Sequence, residues 1–471
     1  MRINHNSMAL NASDHFAKIN NNIAKSMSRL SSGKKITSPA DDAAGLAIST
    51  KLDAQIKGLD RAALNSNDGI SVIQSAEGGL DEMHRILARM RELAVKAAED
   101  VNSEEDRDAI QEEINALEEE INQIADTTAF NGQKLLNGGL ARRSLSTDGN
   151  MKATYISKDV NPGIYELEIT QAATQAKLAT GITNSGATVT AAEAGMVKVN
   201  GFEVTINEGM SMTEVFEELQ SHLTKIGVDV VASPDGGVTS SDFATGDPVY
   251  FITKEYGLAE TLDIEVSNPD LEALLGITTG TSVAGTDCEA TITPTGNGFS
   301  QTATFTTKGN EVNIIDRNGF EMTVEVLPDS IGSTEIEVLS AGTMVIQIGA
   351  NSGEQIELDI PKVDAKGLGV DELIMYTHAH ASEAIEKIDA AIKKISNIRS
   401  GLGAYENRLN DTYDSLKIQS ESITEAYSRI MDTDMAEEMT NYTQQDVLSQ
   451  AAISMMQRSN ERPESILQLL Q

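Results

Sequence analysis

Apolar side chains recur in alternating steps of four and three along Ala384, Ile388, Ala391, Ile395, Ile398, Leu402, Tyr405, Leu409, Thr412, Leu416, Gln419 and Ile423. Ala426 and Ile430 continue the series. This seam fits an α-helix that winds against a partner helix. At 1.5 Å per residue, residues 384–430 predict a helix of roughly 70 Å. Gly401 and Gly403 lie inside it, and each is expected to weaken it locally by about 1 kcal/mol. The prolines agree with the reading, because none falls in 40–161 or 362–462. Long stretches without proline permit long helices.

The front of the chain carries the same arithmetic. Ile110, Ile114, Leu117, Ile121 and Ile124 form a seam. Leu52, Leu59, Ile73, Leu80 and Leu87 recur in steps of seven or fourteen, and beyond Gly78-Gly79 the stripe slips to Met83, Leu87, Met90 and Ala94. A shorter stripe of Phe16, Ile19, Ile23, Met27 and Leu30 is expected to face Met439, Tyr442, Leu448, Ala452 and Met455. A helix with one apolar stripe needs a partner. A closed intramolecular bundle and an assembly of copies both provide one. The outermost segments, about 1–40 and 431–471, are poor in large core residues, so copies are favoured there.

The centre has a different texture. It is rich in Gly, Thr and Val, with turn pairs such as Asp235-Gly236 and Pro328-Asp329, and it reads as strands and turns. The alternation in Glu321-Met322-Thr323-Val324-Glu325-Val326 predicts a half-buried strand. The predicted fold class is therefore α + β and multidomain: long heptad-patterned helices from both ends pair into a coiled-coil-like core around a β-rich insert.

Charge follows the same division. Residues 1–140 hold 15 basic and 22 acidic side chains, a net of −7. Residues 365–471 hold 10 and 17, again −7, whereas 141–364 hold 11 and 33, a net of −22. A total of −36 argues against nucleic acid and anionic membrane as partners. No run of about 18 apolar residues is present, so membrane insertion is not expected. The first residues lead into a polar segment without an apolar h-region, so a cleaved secretory signal is not expected either. Cys288 has no second cysteine to pair with, and it lacks a nearby His or basic residue that would mark a nucleophile.

Several motifs together resemble bacterial flagellin. At the front they are Arg29-Leu30-Ser31-Ser32-Gly33, Ile36, Ala40-Asp41-Asp42-Ala43-Ala44-Gly45-Leu46-Ala47-Ile48, Arg89-Met90-Arg91-Glu92-Leu93-Ala94 and Phe130-Asn131-Gly132-Gln133-Lys134-Leu135-Leu136. At the back they are residues 346–351 with a hairpin-like return at 356–360, then 398–409, 426–434 and Ile466-Leu467-Gln468-Leu469-Leu470. The resemblance implies a subunit that polymerises into the flagellar filament used for motility. It implies an inner tube of terminal helices, an outer helical layer and a projecting insert. It implies an extracellular location, reached through flagellum-specific type III export without a cleaved signal. The implied partners are the chain itself, an export chaperone at the C-terminal region, and the filament cap and hook-associated proteins. An animal Toll-like flagellin receptor is a candidate partner, because Arg89, Leu93 and Glu113 match the receptor-contact positions. The assembly-core candidates are Phe16, Ile19, Ile23, Met27, Leu30, Met439, Tyr442, Leu448, Ala452, Met455, Leu467 and Leu470. The spacer candidates are Ser31, Gly33, Asp41, Asp42 and Gly45. For Asp41 and Asp42, helix capping and direct subunit contact both stay open. The alternatives are a flagellin-like hook–filament junction protein, or a filament subunit with an adhesive or enzymatic insert.

Within the insert, residues 197–276 resemble the hook-IN motif, and 163–171 resemble the opening strand of cap-type proteins. The expected divisions are 1–41 (inner-core helix and spacer), 42–140 (outer-core helices), 141–180 and 285–342 (β-rich domain), 181–284 (hook-IN-like domain), 343–430 (outer-core hairpin and long helix) and 431–471 (inner-core helix). No enzyme, metal site or cofactor is expected. The His-Glu-x-x-His helix of protease-bearing flagellins does not occur, and His378 and His380 would diverge by about 200° on a helix. The histidines are expected to face solvent.

Overall fold

Polar residues at the right offsets start almost every helix. Asn6 accepts from the Ala9 N–H and opens α1 (Ser7–Ser32). Asp42 accepts from Ala44 and Gly45 and opens α2 (Ala43–Ala97). Ser103 and Asp106 form a reciprocal capping box at α3 (Glu104–Thr127), and Ser211 and Glu214 do the same at α4 (Met212–Leu223). Asn268 caps the short α5 (Pro269–Leu275), and Asp364 caps α6 (Ala365–Leu368). Thr377 and Asp434 accept from the first turns of α7 (His378–Met431) and α8 (Met435–Leu469). The helix α7 runs unbroken through Gly401 and Gly403, where an added Cβ would meet nothing within 4 Å.

The computed structural model describes residues 6–99, 101–147, 149–157, 160–183, 187–232, 243, 248–292, 298–300, 302–316, 320–328, 330–339 and 342–469. For 181–183 and 462–469 the backbone alone is described. The chain divides into two compact units, one of residues 1–68, 347–356 and 408–471, the other of 69–346 and 357–407.

In the first unit, α1 lies antiparallel along α8, with Asn6 donating to the Ser459 carbonyl at one end and Arg29 beside Glu438 at the other. The part of α2 in this unit meets the last turns of α7 through Leu59, Ala62, Ala63 and Leu416. The strands Met344–Gln347 and Gln355–Leu358 form the expected hairpin, of which residues 347–356 belong to this unit. Its tip sits so close to α2 that a Cβ on Gly58 would lie 2.9 Å from that of Ala350.

In the second unit, the remaining turns of α2 and α7 contribute Ile73, Leu80, Leu87, Met90, Ala384, Ile388, Ala391 and Ile395 to the core, and α3 contributes Ile110, Ile114 and Ile121. All are buried, as their seams require. Gly79 belongs to a close approach, since a Cβ there would come within 2.7 Å of Thr128 and 2.9 Å of Leu136.

Two bodies of strands complete this unit. The first packs α4 and α5 on two sheets. One orders the strands Thr281–Ala284, Thr261–Val266, Gly195–Val199 and Phe202–Ile206. The other orders Lys177–Thr183, Pro248–Thr253 and Val228–Ala232. The pairing of Lys177–Thr183 with Pro248–Thr253 puts residue 180 inside a strand. The second body joins two four-stranded sheets, Glu289–Thr291, Gly163–Gln171, Gly332–Val338, Ser144–Ser146 and Thr304–Lys308, Glu311–Ile315, Glu321–Val326, Met151–Ile156. Met322, Val324 and Val326 point into its core, as the alternation predicts. So does Cys288, whose thiol burial pushes up to about 11, with Asp287 adding to the shift.

Candidate functional site

The α1–α8 pair is unusual in what it places between its helices. The inward positions of α1 are Ala12, Phe16, Ile19, Ile23, Ser26 and Leu30, and those of α8 are Glu438, Tyr442, Gln445, Ser449, Ala452, Met456 and Ser459. Both sets alternate steps of four and three. Three of the most buried residues in the pair are polar: Ser26, Glu438 and Ser449. Meanwhile Met8, Leu10, Met27, Met439, Val447, Leu448, Ile453 and Met455 are exposed, several by more than half.

The expected stripe therefore needs correcting. Phe16, Ile19, Ile23, Leu30, Tyr442 and Ala452 do line the seam. Met27, Met439, Leu448 and Met455 do not, because they sit one residue off the strict alternation and turn outward. The side chain of Leu467 and all of Leu470 lie outside the described residues. Beside Ala12 and Ala452, the outward residues Met8 and Met455 border a groove with His15 and Arg458.

Between α1 and α2 the chain makes a tight spacer. Gly33 adopts φ +68° and donates to the Arg29 carbonyl, closing α1 in a left-handed turn that favours glycine. Backbone bonds stitch this turn to the end of α7: Thr433 donates to the Gly33 carbonyl at 3.0 Å, and Lys35 to the Met431 carbonyl at 2.6 Å. Ser31 is exposed. The Asp41 carboxylate collects the hydroxyls and N–H groups of Thr37 and Ser38 at 3.0–3.3 Å. Those bonds, the Ser38 hydroxyl first, hold its pKa below the ordinary value. A Cβ on Gly45 would meet Asp42 Oδ2 at 2.4 Å and Ile36 Cδ1 at 2.7 Å, so glycine lets the capping turn close.

The candidate receptor residues do not share a surface. Arg89 is exposed and donates to Glu113 at 2.8 and 2.9 Å and to Glu92 at 3.2 Å. Leu93 is only 3% exposed. The helix α2 is covered on more than one side, so its apolar stripe is wider than a single seam and takes Leu93 in with Ile86. The histidines also depart from expectation. His15 and His378 are exposed, while His84, His222 and His380 are half-buried.

Sequence reasoning missed two buried polar contacts. Gln111 donates to the Leu373 carbonyl at 2.6 Å and accepts from Met375 at 2.8 Å, fixing the approach to α7. Arg142 stands 3.6 Å from the buried Asp359, whose carboxyl burial raises to about 6 against the pull of Arg142. Neither carries a local motif. Their partners are more than 200 residues away in the chain. Among the described residues, no three His, Cys, Asp or Glu side chains converge as a metal site. No helix among them is long and apolar enough to cross a membrane.

The bacterial flagellin N-terminal helical region matches residues 3–140, and the bacterial flagellin C-terminal helical region matches 385–470. A flagellin of Clostridium tyrobutyricum is 32% identical over 462 residues, covering 98% of this chain and all of that one. Flagellin A of Vibrio cholerae serotype O1 is 30% identical over 476 residues and covers both chains completely. Among solved structures, flagellar hook associated protein-3 from Legionella pneumophila aligns with 81% of this chain and 98% of its own, at 14% identity and a TM-score of 0.32. A likeness that loose carries no argument.

Proposed function

The chain belongs to the bacterial flagellin family, and from that premise we propose how its parts build a filament. Its function is that of a structural subunit of the bacterial flagellar filament. The observation that carries the proposal is the α1–α8 pair, whose half-buried seam mixes serines and a glutamate with Phe16, Ile19, Ile23 and Leu30, while a set of methionines and aliphatics lies outside. Exposed apolar side chains on both helices favour association with copies, at about 25 cal/mol for each Å² covered. The pair, 1–41 with 431–471, is read as the inner core, and Met27, Met439, Leu448 and Met455 as contacts between copies. The helices of 42–140 and 343–430 are read as the outer core. The insert, with a hook-IN-like body and a β-rich body, is read as the projecting part, where the −22 of residues 141–364 meets solvent.

The partners proposed with this reading are the filament cap, the hook-associated proteins and an export chaperone at the C-terminal region. Export without a cleaved signal belongs to the same proposal. A receptor surface, if the subunit meets one, would use Arg89 and Glu113 rather than Leu93. Seeding purified subunit with filament fragments should give long helical fibres. Removing 436–471 should abolish elongation while the circular dichroism of the strand-rich centre persists. Filaments formed by the truncated chain would overturn the inner-core reading.

A further inference from the structure

Three parts of the second unit converge beside a cavity of about 310 Å³, lined among others by Lys254, Glu255, Glu260, His380, Glu383 and Lys387. The first part is the loop after the strand Pro248–Thr253. The second is the turn at Lys308-Gly309, which closes a hairpin of the β-rich body. The third is the first three turns of α7. Asp287 staples the first two, accepting from the Leu258 and Gly309 N–H groups at 2.9 Å each. The approach is close: a Cβ on Gly257 would sit 2.8 Å from the Gly309 Cα.

Ionic groups hold the third part to the others. Glu383 meets Lys308 at 2.8 Å and Lys387 at 3.7 Å, and Lys387 also lies 3.7 Å from Glu255. Lys254 is engaged by Glu372 at 2.9 Å. Glu260 is left without an ion pair within 4 Å among the described residues. Two half-sheltered glutamates, Glu260 and Glu383, and the exposed Glu255 thus share two lysines, and one negative charge is uncompensated.

We propose that this junction is a proton-tightened joint, in which mild acid neutralises Glu260 and locks the two insert bodies onto the start of α7. Burial, followed by the charges of Glu255 and Glu383, lifts the Glu260 carboxyl to about 6, while Lys387 and Lys308 pull the other way. The sign follows directly. The closed junction takes up a proton at higher pH than an open one, whose glutamate titrates near the ordinary 4.5. Closure is therefore favoured as pH falls through about 6, and the gain is absent at 7.5. His380 opposes this, because burial lowers its pKa and its protonation disfavours the sheltered site. That opposition sets in as pH falls below the ordinary 6.5, so the net tightening is smaller than Glu260 alone would give.

Hydrogen exchange on the full-length subunit, kept monomeric, tests the joint, with rates corrected for the intrinsic pH dependence of the unfolded chain. Protection of 254–260 and 304–309 should rise by up to about fourfold between pH 7.5 and 5.5. Glu260→Gln should show the higher protection at both values. The exposed control Glu208→Gln should behave as the unaltered chain. Equal protection of the unaltered chain at the two pH values would overturn the proposal. So would full pH dependence surviving in Glu260→Gln.

Discussion

The α1–α8 pair and the helical part of the second unit use the same heptad arithmetic, but the second unit seals its large apolar side chains inside while the pair leaves its seam half-buried and turns many others outward. In the second unit, Leu80, Leu87, Met90, Ile114, Ile121, Ile388 and Ile395 are sealed inside. In the pair, Ser26, Glu438 and Ser449 are inside, and Met27, Met439, Leu448 and Met455 face out. The period states that a helix needs a partner. The residues at the inward positions tell whether this chain already supplies a sufficient one. About four hundred residues of sequence separate the two helices of the pair, yet their mutual contact leaves its apolar seam only half-buried.

The largest effect expected from this contrast is at Leu87. Leu87→Ala should cost about 3 kcal/mol of subunit stability, because it opens a cavity in a closed core. Urea unfolding followed by circular dichroism measures it, and a cost below about 1 kcal/mol would deny that the second unit is packed as described. Next comes the double change Met439→Ser with Met455→Ser. It should leave subunit stability within about 0.5 kcal/mol, since both side chains are exposed. It should raise the critical concentration for elongation about thirtyfold, equivalent to about 2 kcal/mol of lost apolar contact. A loss of subunit stability instead would reverse the comparison. Gly45→Ala is smaller: the new Cβ displaces the Asp42 cap, at about 1 kcal/mol. It should show as faster exchange over 31–50 with no change in the second unit. The smallest effect belongs to Arg89→Ala. Its ion pairs are solvent-exposed and screened, so the thermal unfolding midpoint should not move measurably.

Much of this architecture was legible in the residues. The long helices follow from the seams and the absence of proline, and their starts follow from Asn, Asp and Ser at capping positions. The strand at 321–326 follows from its alternation. What misled was weighting hydrophobicity over phase. Strict alternation along α1 runs Ile19, Ile23, Ser26, Leu30, but the step to Met27 looks more attractive because methionine is the better core residue. The same preference picks Met439 and Leu448 on α8 over Glu438 and Ser449, whereas at Met455-Met456 the two residues are identical and phase alone decides. Phase was the better guide, because side-chain direction is fixed by the backbone whatever the residue prefers. The burial of Leu93 has a different cause. Its exposure depends on how many neighbours surround α2, and one helix's pattern does not count them. Gln111 and the Arg142–Asp359 pair were out of reach, since a buried polar contact is defined by a partner distant in sequence.

The buried Cys288 has a consequence for the polymer as a material. Flagellins form an extracellular filament, where oxidants are plentiful and thiols couple readily. A thiol on the surface, repeated in every copy, would let neighbours weld together at random and freeze whatever register they happened to share. Sulfur enclosed in the β-rich core, and kept protonated there, offers oxidants almost no thiolate. The same thiol is also a silent tracer: a maleimide dye should ignore intact subunits and label those whose insert has opened.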